Sequence, residues 1–494
     1  MWLTQLLERN RQCRPGRTAL VDEERSVTWA EFHDRTLELA RGLAELGIER
    51  GDRVAVLSKD RIEVLESYFA LARLGALFVP LNHSLAEPEV AGIIERVGAV
   101  AVIGESELLD RHPELPASVR IRLALDKPAF EALGTLATER DLPEVADTDP
   151  IAVLHTSATT GQAKGVTVDS GSFRAIALGW LVMARPTDDI VMVNCCPLYH
   201  GSMVVSLTYL AAGATVVLMP GFTPQRALTA VERHRATHMW LVPQMLRFVL
   251  QAKASHRTDL SCLREILYGA APMPLDVYAD AVERLGCGFR QVYGMTEVGG
   301  PFVTLGPDEH PAPGDVTARI PCGRVVPGMS ARAVDGGGRE LPPGEIGEIV
   351  VRGPGVMRGY WNDPQATREI TLDGWIRTGD LGFLDDEGRI SLVDRTKDVI
   401  IRAGQNVYPS EIERALLTHP AVRDAAVVGM PDEDYGEVPL AYVVPEPGAD
   451  PGAAALLGHV KGLLAPYKWP RRVEFIEQVP RNPAGKIVKK LLRA

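Results

Sequence analysis

Apolar runs of strand length alternate with helix-length amphipathic stretches through the first third of the chain. This alternation limits the fold more than any other feature of the sequence. Residues Trp29 to Leu46 repeat with a helical period, and Gly47 and Gly51 break it. Arg53-Val-Ala-Val-Leu57 reads as a strand, Glu63 to Leu74 as a helix and Ala76 to Pro80 as the next strand. Such units predict an α/β fold with a mostly parallel sheet and helices on its faces. Apolar residues make up 46 % of the chain and charged residues 24 %, which suits a packed core and disfavours disorder. A length of 494 residues calls for two or more domains.

The character changes between Arg319 and Tyr360, where short β-rich runs such as Gly347 to Arg352 lie between Gly and Pro clusters. That pattern predicts a small barrel-like β subdomain. Asp394-Arg-Thr-Lys397 reads as a hinge. Beyond it come a strand (Val399 to Arg402), a helix opened by Pro409, and strands at Ala425 to Val428 and Leu440 to Val444. The expected division is a large N-terminal domain over 1–396, its barrel-like part over 310–396, and a small mobile C-terminal α+β domain over 397–494.

Several classes are disfavoured. A net charge of -11 argues against a nucleic-acid binder, which needs a basic surface. The N-terminal residues lack the basic-then-apolar pattern of a signal peptide. The most apolar region, Ile190 to Met219, is interrupted by Pro197, His200, Gly201 and Gly213, so it reads as buried strands and a helix and not as a membrane span. Cys13, Cys195, Cys196, Cys262, Cys287 and Cys322 form no CxxC pair or zinc spacing. Reduced thiols in a cytoplasmic protein are the default. Oligomeric state is read only as monomer or homodimer.

Four motifs bear on chemistry, and each has a plain structural alternative. Thr156-Ser-Ala-Thr-Thr-Gly-Gln-Ala-Lys-Gly165 follows an apolar strand. Its hydroxyls, amides and Lys suit phosphate, although a surface Ser/Thr turn reads the same way. It is not a Walker loop, because GxxxxGK[ST] is missing. In Tyr293-Gly-Met-Thr-Glu297 the Thr can donate to phosphate and the Glu can hold Mg²⁺, or the pair can cap a helix. Asp380 could take ribose hydroxyls and Arg395 could bridge ribose and phosphate, or both could form surface ion pairs. Asn482-Pro-Ala-Gly-Lys486 ends in a Lys that could be a solvated tail charge.

Taken in this order, the four motifs resemble the superfamily of adenylate-forming enzymes, which includes acyl-CoA synthetases, nonribosomal adenylation domains and firefly luciferase. Pro197-Leu-Tyr-His200, Gly269-Ala-Ala-Pro272, Gly344 to Pro354 and Gly404 to Glu413 extend the resemblance from Thr28 to Lys486. The resemblance implies that ATP and a carboxylate give an acyl-adenylate, which a thiol then attacks after the small domain rotates. By position, Thr156, Ser157, Ala158, Thr159, Thr160, Gly161 and Lys164 would hold phosphates, and Gly269, Ala270, Ala271, Tyr293, Gly294 and Met295 would border the nucleotide. Asp380 and Arg395 would hold the ribose. Thr296 would contact the α-phosphate and Glu297 would help bind Mg²⁺. Lys486 would bridge carboxylate and phosphate oxygens, Lys397 would be the hinge, and Gly404 would line the thiol tunnel. The acyl pocket would take His200, Met203, Met239, Trp240, Leu241, Pro243, Met295 and Gly299, a mostly apolar set that implies a bulky apolar acid. Tyr199-His200 stands where amine-activating relatives carry an Asp. No carrier-protein domain follows Lys486, so coenzyme A is the expected acceptor.

Three departures from the family pattern matter. Ala158 replaces a Gly and Ala163 a Pro in the phosphate loop, and Ala403 stands where a Gly is usual beside Gly404. An L-residue at a positive φ costs about 1–2 kcal/mol. The first two fall on pyrophosphate handling, which only adenylation needs. One reading is therefore an acyl-CoA ligase with impaired or absent adenylation, supplied with acyl-AMP by a separate adenylating ligase. The others are a full two-step ligase using ATP and Mg²⁺, an acyl-AMP binding protein without turnover, and a luciferase-like oxygenase.

Overall fold

The computed structural model describes residues 1–134, 141–156, 163–199, 201–315, 319–481 and 487–493. The alternation in the first third forms as read: β1 (Arg53–Leu57), α1 (Ile62–Leu74) and β2 (Leu77–Leu81) follow one another, with β1 and β2 parallel. Val54 to Leu57 are all buried, as a strand covered on both faces requires. Gly75 closes α1 in the left-handed conformation at φ +68°. The same sheet continues through β3 (Pro150–His155) and β4 (Gly165–Asp169), which pair antiparallel. Its order is Gly359–Tyr360, β4, β3, β2, β1, Ala101–Gly104 and Ile121–Ala124.

A second sheet holds β5 (Val191–Asn194), β6 (His238–Leu241), β7 (Glu265–Gly269) and β8 (Gly288–Met295), all parallel. α2 (Ser202–Ala212) follows β5 and is almost wholly buried. The apolar region from Ile190 to Met219 is thus a strand, a helix and the strand Thr215–Leu218. No helix among the described residues is long and apolar enough to cross a membrane. Strand period decides what each side chain meets. Val193, Met239, Leu241, Ile266 and Tyr268 share one face and pack with Ala227, Val231, Leu246 and Val277 from the helices that cover it. Trp240 points to the other face.

The chain folds into two compact units, Met1–Ser330 with Arg352–Ile376, and Ala331–Val351 with Arg377–Ala494. The second unit contains most of β9 (Trp375–Leu384) and all of β10 (Ile390–Arg395), paired antiparallel, with Gly347–Arg352 in the same sheet. It also contains a C-terminal α+β part with β11 (Ile400–Arg402), β12 (Gln405–Val407) and α3 (Pro409–Leu417). There, α3 and the helix Ala453–Leu463 cover a sheet whose core is Ile412, Leu416, Val427, Val443 and Leu456. The sequence pattern suggests a boundary at Lys397. In the fold, most of β9, all of β10 and the tail lie in the same compact unit.

Candidate active site

In the first unit, candidate residues collect at the C-terminal ends of β6, β7 and β8, where open α/β sheets bind ligands. Gly269 ends β7 beneath a close neighbour. A methyl there would overlap the Val292 carbonyl and lie 3.3 Å from Trp240 Cη2, so only Gly fits. Ala270 follows at φ +66°, which turns the chain sharply into Ala271. Gly294 sits at a register shift in the β8 pairing, and a methyl there would overlap the Gly300 carbonyl. Tyr293 packs its ring 5.3 Å from that of Phe302, and Met295 pairs across to Gly300. A 3₁₀ turn, Thr296–Val298, ends at Gly299 with φ +66°.

Glu297 in that turn is held twice. Its carbonyl accepts the Met357 N–H at 2.9 Å, and its Oε1 accepts the Tyr360 hydroxyl at 2.8 Å. Burial, then the Glu297 charge, push the Tyr360 phenol well above its ordinary value, so it stays a neutral donor. The same ring carries Lys164 Nζ 4.9 Å from its centroid, a cation–π distance. Thr156 donates its N–H to the Lys164 carbonyl at 3.2 Å and closes the connection between β3 and β4. Lys164, Tyr360 and Glu297 thus form one chain through a single phenol ring. Sequence reasoning does not find Tyr360. Its strand has two residues, Gly359–Tyr360, paired to β4, and so carries no readable period.

The acyl-pocket residues separate. Trp240, Met203 on α2 and Gly299 are buried, and Pro243 opens the helix that follows β6. Met239 and Leu241 are on the opposite face, in the core described above. Assigning consecutive residues of a strand to one pocket overlooks the alternation of their side chains. A carboxylate with one oxygen fixed by Tyr360 is of the kind that would fit Mg²⁺, which takes one or two carboxylates plus phosphate oxygens.

In the second unit, Asp380 on β9 stands directly across from Arg395 on β10, with Nε to Oδ1 at 3.0 Å. Asp380 is buried and Arg395 is 43 % exposed at its side chain, so the pair presents an anchored fork. Asp394 accepts the N–H of Arg395 at 2.8 Å and that of Ser410 at 2.9 Å, which ties β10 to the start of α3. Lys397 lies in the 3₁₀ turn Thr396–Asp398, and burial followed by Arg395 push its ammonium down. Asp398 pairs with Arg493 at 3.0 Å. Ala403 and Gly404, at φ +49° and +79°, are the two central residues of the β11–β12 hairpin. Positive φ at both positions is the type I′ signature. A methyl on Gly404 would meet nothing within 4 Å, so its need is torsional within this unit. Ser157, Ala158, Thr159, Thr160, Gly161, His200 and Lys486 lie outside the described residues.

Comparison with known proteins covers nearly the whole chain. The profile of the AMP-binding enzyme family matches residues 7–361, and that of the AMP-binding enzyme C-terminal domain matches residues 411–486. A fatty acid–[acyl-carrier-protein] ligase, ScoC of Streptomyces coeruleorubidus, is 36 % identical over 501 residues, covering 99 % of this chain and 96 % of its own. A feruloyl-CoA synthase of an Amycolatopsis species is 37 % identical over 483 residues, covering 97 % and 96 %. The ATP-bound structure of MatB from Rhodopseudomonas palustris superposes with a TM-score of 0.91 at 31 % identity, covering 99 % and 98 %.

Proposed function

The chain belongs to the AMP-binding, adenylate-forming enzyme family, and we propose that it joins a bulky apolar carboxylic acid to coenzyme A, with adenylation as its weaker half-reaction. It is an acid–thiol ligase, and its family uses ATP, Mg²⁺ and coenzyme A through an acyl-adenylate. The observation that carries the substrate reading is the Trp240 ring, which lies 3.3 Å from where a methyl on Gly269 would stand at the end of the neighbouring strand. In the thioester step the thiol gives its proton to solvent, its sulfur bonds to the acyl carbon, the bond between that carbon and the phosphate oxygen breaks, and AMP leaves.

Each remaining residue takes a role in this reading. Gly269, Ala270, Ala271, Tyr293, Gly294 and Met295 border the nucleotide. Asp380, held by Arg395, takes the ribose hydroxyls. Thr296 meets the α-phosphate. Glu297 would hold Mg²⁺, which neutralises phosphate charge when bound. Thr156, the residues 157–161 and Lys164 receive the β- and γ-phosphates. Lys486 serves adenylation, Lys397 is the hinge of the C-terminal domain, and Gly404 borders the thiol path. Ala158 and Ala163 weaken the phosphate loop, because a methyl and a lost ring both reduce preorganisation. A separate ligase would then supply the adenylate.

A second reading, a full two-step ligase, is favoured by the intact chain from Lys164 through Tyr360 to Glu297. One experiment decides between them. The protein is given an acid, Mg²⁺-ATP and labelled pyrophosphate, and separately a synthetic acyl-adenylate with coenzyme A. Thioester from the adenylate with pyrophosphate exchange near background supports the first reading. Brisk exchange establishes the second.

A further inference from the structure

Asp60 is a buried carboxyl outside every role given above. It lies in the turn between β1 and α1 and is 5 % exposed. Its Oδ1 accepts the backbone N–H of Leu198 at 2.9 Å. A small, mostly apolar cavity beside it is lined by Ser58, Val64, Phe78, Pro80, Leu198 and Tyr199, among others. Among the described residues no Lys, Arg or His pairs with it. A carboxylate in such surroundings would be a buried charge with one amide for company, so the neutral acid is the cheaper form.

The Leu198 amide belongs to the segment that joins β5 to α2. That segment is otherwise tied to its own sheet: Cys196 donates its N–H to Asn194 Oδ1 at 3.0 Å, and the Pro197 carbonyl accepts the Ser202 hydroxyl. Asp60 adds a tie from the first sheet. His83, just beyond β2, adds another by meeting the Tyr199 ring edge-on at 5.6 Å. We propose that Asp60 is a positioning residue for the reaction: through the Leu198 amide it fixes the segment that ends at Tyr199 and leads into α2. This rests on the reading that Met203, at the start of α2, borders the acid.

Ionisation is the lever. Burial pushes the Asp60 carboxyl up to about 8. Below that pH it is neutral. Above it, the cost of a buried negative charge outweighs the one amide bond that favours it, and the tie is expected to open. The groups around it have other ranges. Burial raises the Cys196 thiol and the Tyr199 phenol, and it lowers the His83 imidazole. Glu105 is engaged by Ser58 Oγ at 3.0 Å and by the Lys59 N–H at 2.7 Å.

The test measures CoA thioester formation from feruloyl-AMP, indoleacetyl-AMP and dodecanoyl-AMP between pH 6.5 and 9.5, for the wild type, Asp60→Asn and Asp60→Leu. For the adenylate that turns over, the wild-type KM should rise roughly tenfold from pH 7 to pH 9, following the loss of the neutral acid. Asp60→Asn keeps a neutral acceptor and should stay within about threefold of wild type at pH 7 and flat to pH 9. Asp60→Leu leaves the amide unpaired and should raise KM about tenfold at pH 7 with kcat less affected. Thermal unfolding of each variant checks folding, and if Asp60→Leu fails to fold, the Asp60→Asn profile decides. An alkaline limb in Asp60→Asn like that of the wild type, or a folded Asp60→Leu that matches wild type, overturns the inference alone. No thioester from any adenylate with the folded wild type overturns the ligase reading, and this inference with it.

Discussion

Tyr360 donates its hydroxyl to Glu297 Oε1 at 2.8 Å, and the two residues are 63 positions apart in the chain. The bond fixes the rotamer of a carboxylate proposed to hold Mg²⁺. The ring that makes it also carries Lys164 at 4.9 Å. Orientation of a metal ligand by such a partner commonly governs affinity for the metal.

Replacing Tyr360 by Phe removes the hydroxyl and keeps the ring. Pyrophosphate exchange should fall about tenfold, with a matching rise in the Mg²⁺ concentration for half-maximal rate. Thioester formation from a synthetic acyl-adenylate should change by less than about twofold, because no pyrophosphate is handled there. Equal losses in both assays would assign Tyr360 to the fold alone.

The double substitution Ala158→Gly with Ala163→Pro restores the family pattern of the phosphate loop. It should raise pyrophosphate exchange about tenfold or more, one decade for each 1.36 kcal/mol regained. No gain would remove the loop as the cause of weak adenylation.

Ala403 occupies φ +49° in a type I′ turn. Ala403→Gly should stabilise the second unit by about 0.5–1 kcal/mol, since the relief of left-handed strain exceeds the added entropy of the unfolded chain. Gly404→Ala should destabilise it by about 1 kcal/mol even though the space is open. Urea unfolding read in both variants checks the two signs together.

Trp240 and its neighbour Met239 should part company under mutation. Met239 is 1 % exposed in the core, so Met239→Ala should cost about 2–5 kcal/mol of stability and leave the ranking of acids unchanged. Trp240→Ala should change the kcat/KM ratio between feruloyl and dodecanoyl adenylates about tenfold or more. If both variants shift the ranking equally, the assignment of opposite faces is wrong.

The sequence makes some parts of this molecule plain and hides others for physical reasons. The strand Arg53–Leu57 and the helices at residues 29 and 62 are legible because each has a sustained period and a clear stop. The interruptions at Pro197 and Gly213 correctly argue for a strand, a helix and a strand. The faces of β6 are hidden because a four-residue apolar run, His238–Leu241, shows no polar alternation to mark its two sides. Tyr360 is hidden because it sits in a strand of two residues and meets its partner only through tertiary packing. Asp60 looks like an ordinary turn acid, since burial without a cation cannot be read from neighbours in sequence.

The connection that begins at Thr156 joins two antiparallel strands, β3 and β4, and does not lead into a helix. Among the described residues no helix macrodipole opens at that point to draw in an anion, as it does where a phosphate-binding turn starts a helix. In the proposed reading, attraction for a triphosphate comes from individual hydroxyls, amides and the ammonium of Lys164. A cradle of this kind has little redundancy, so the cost of one altered side chain should fall directly on its grip.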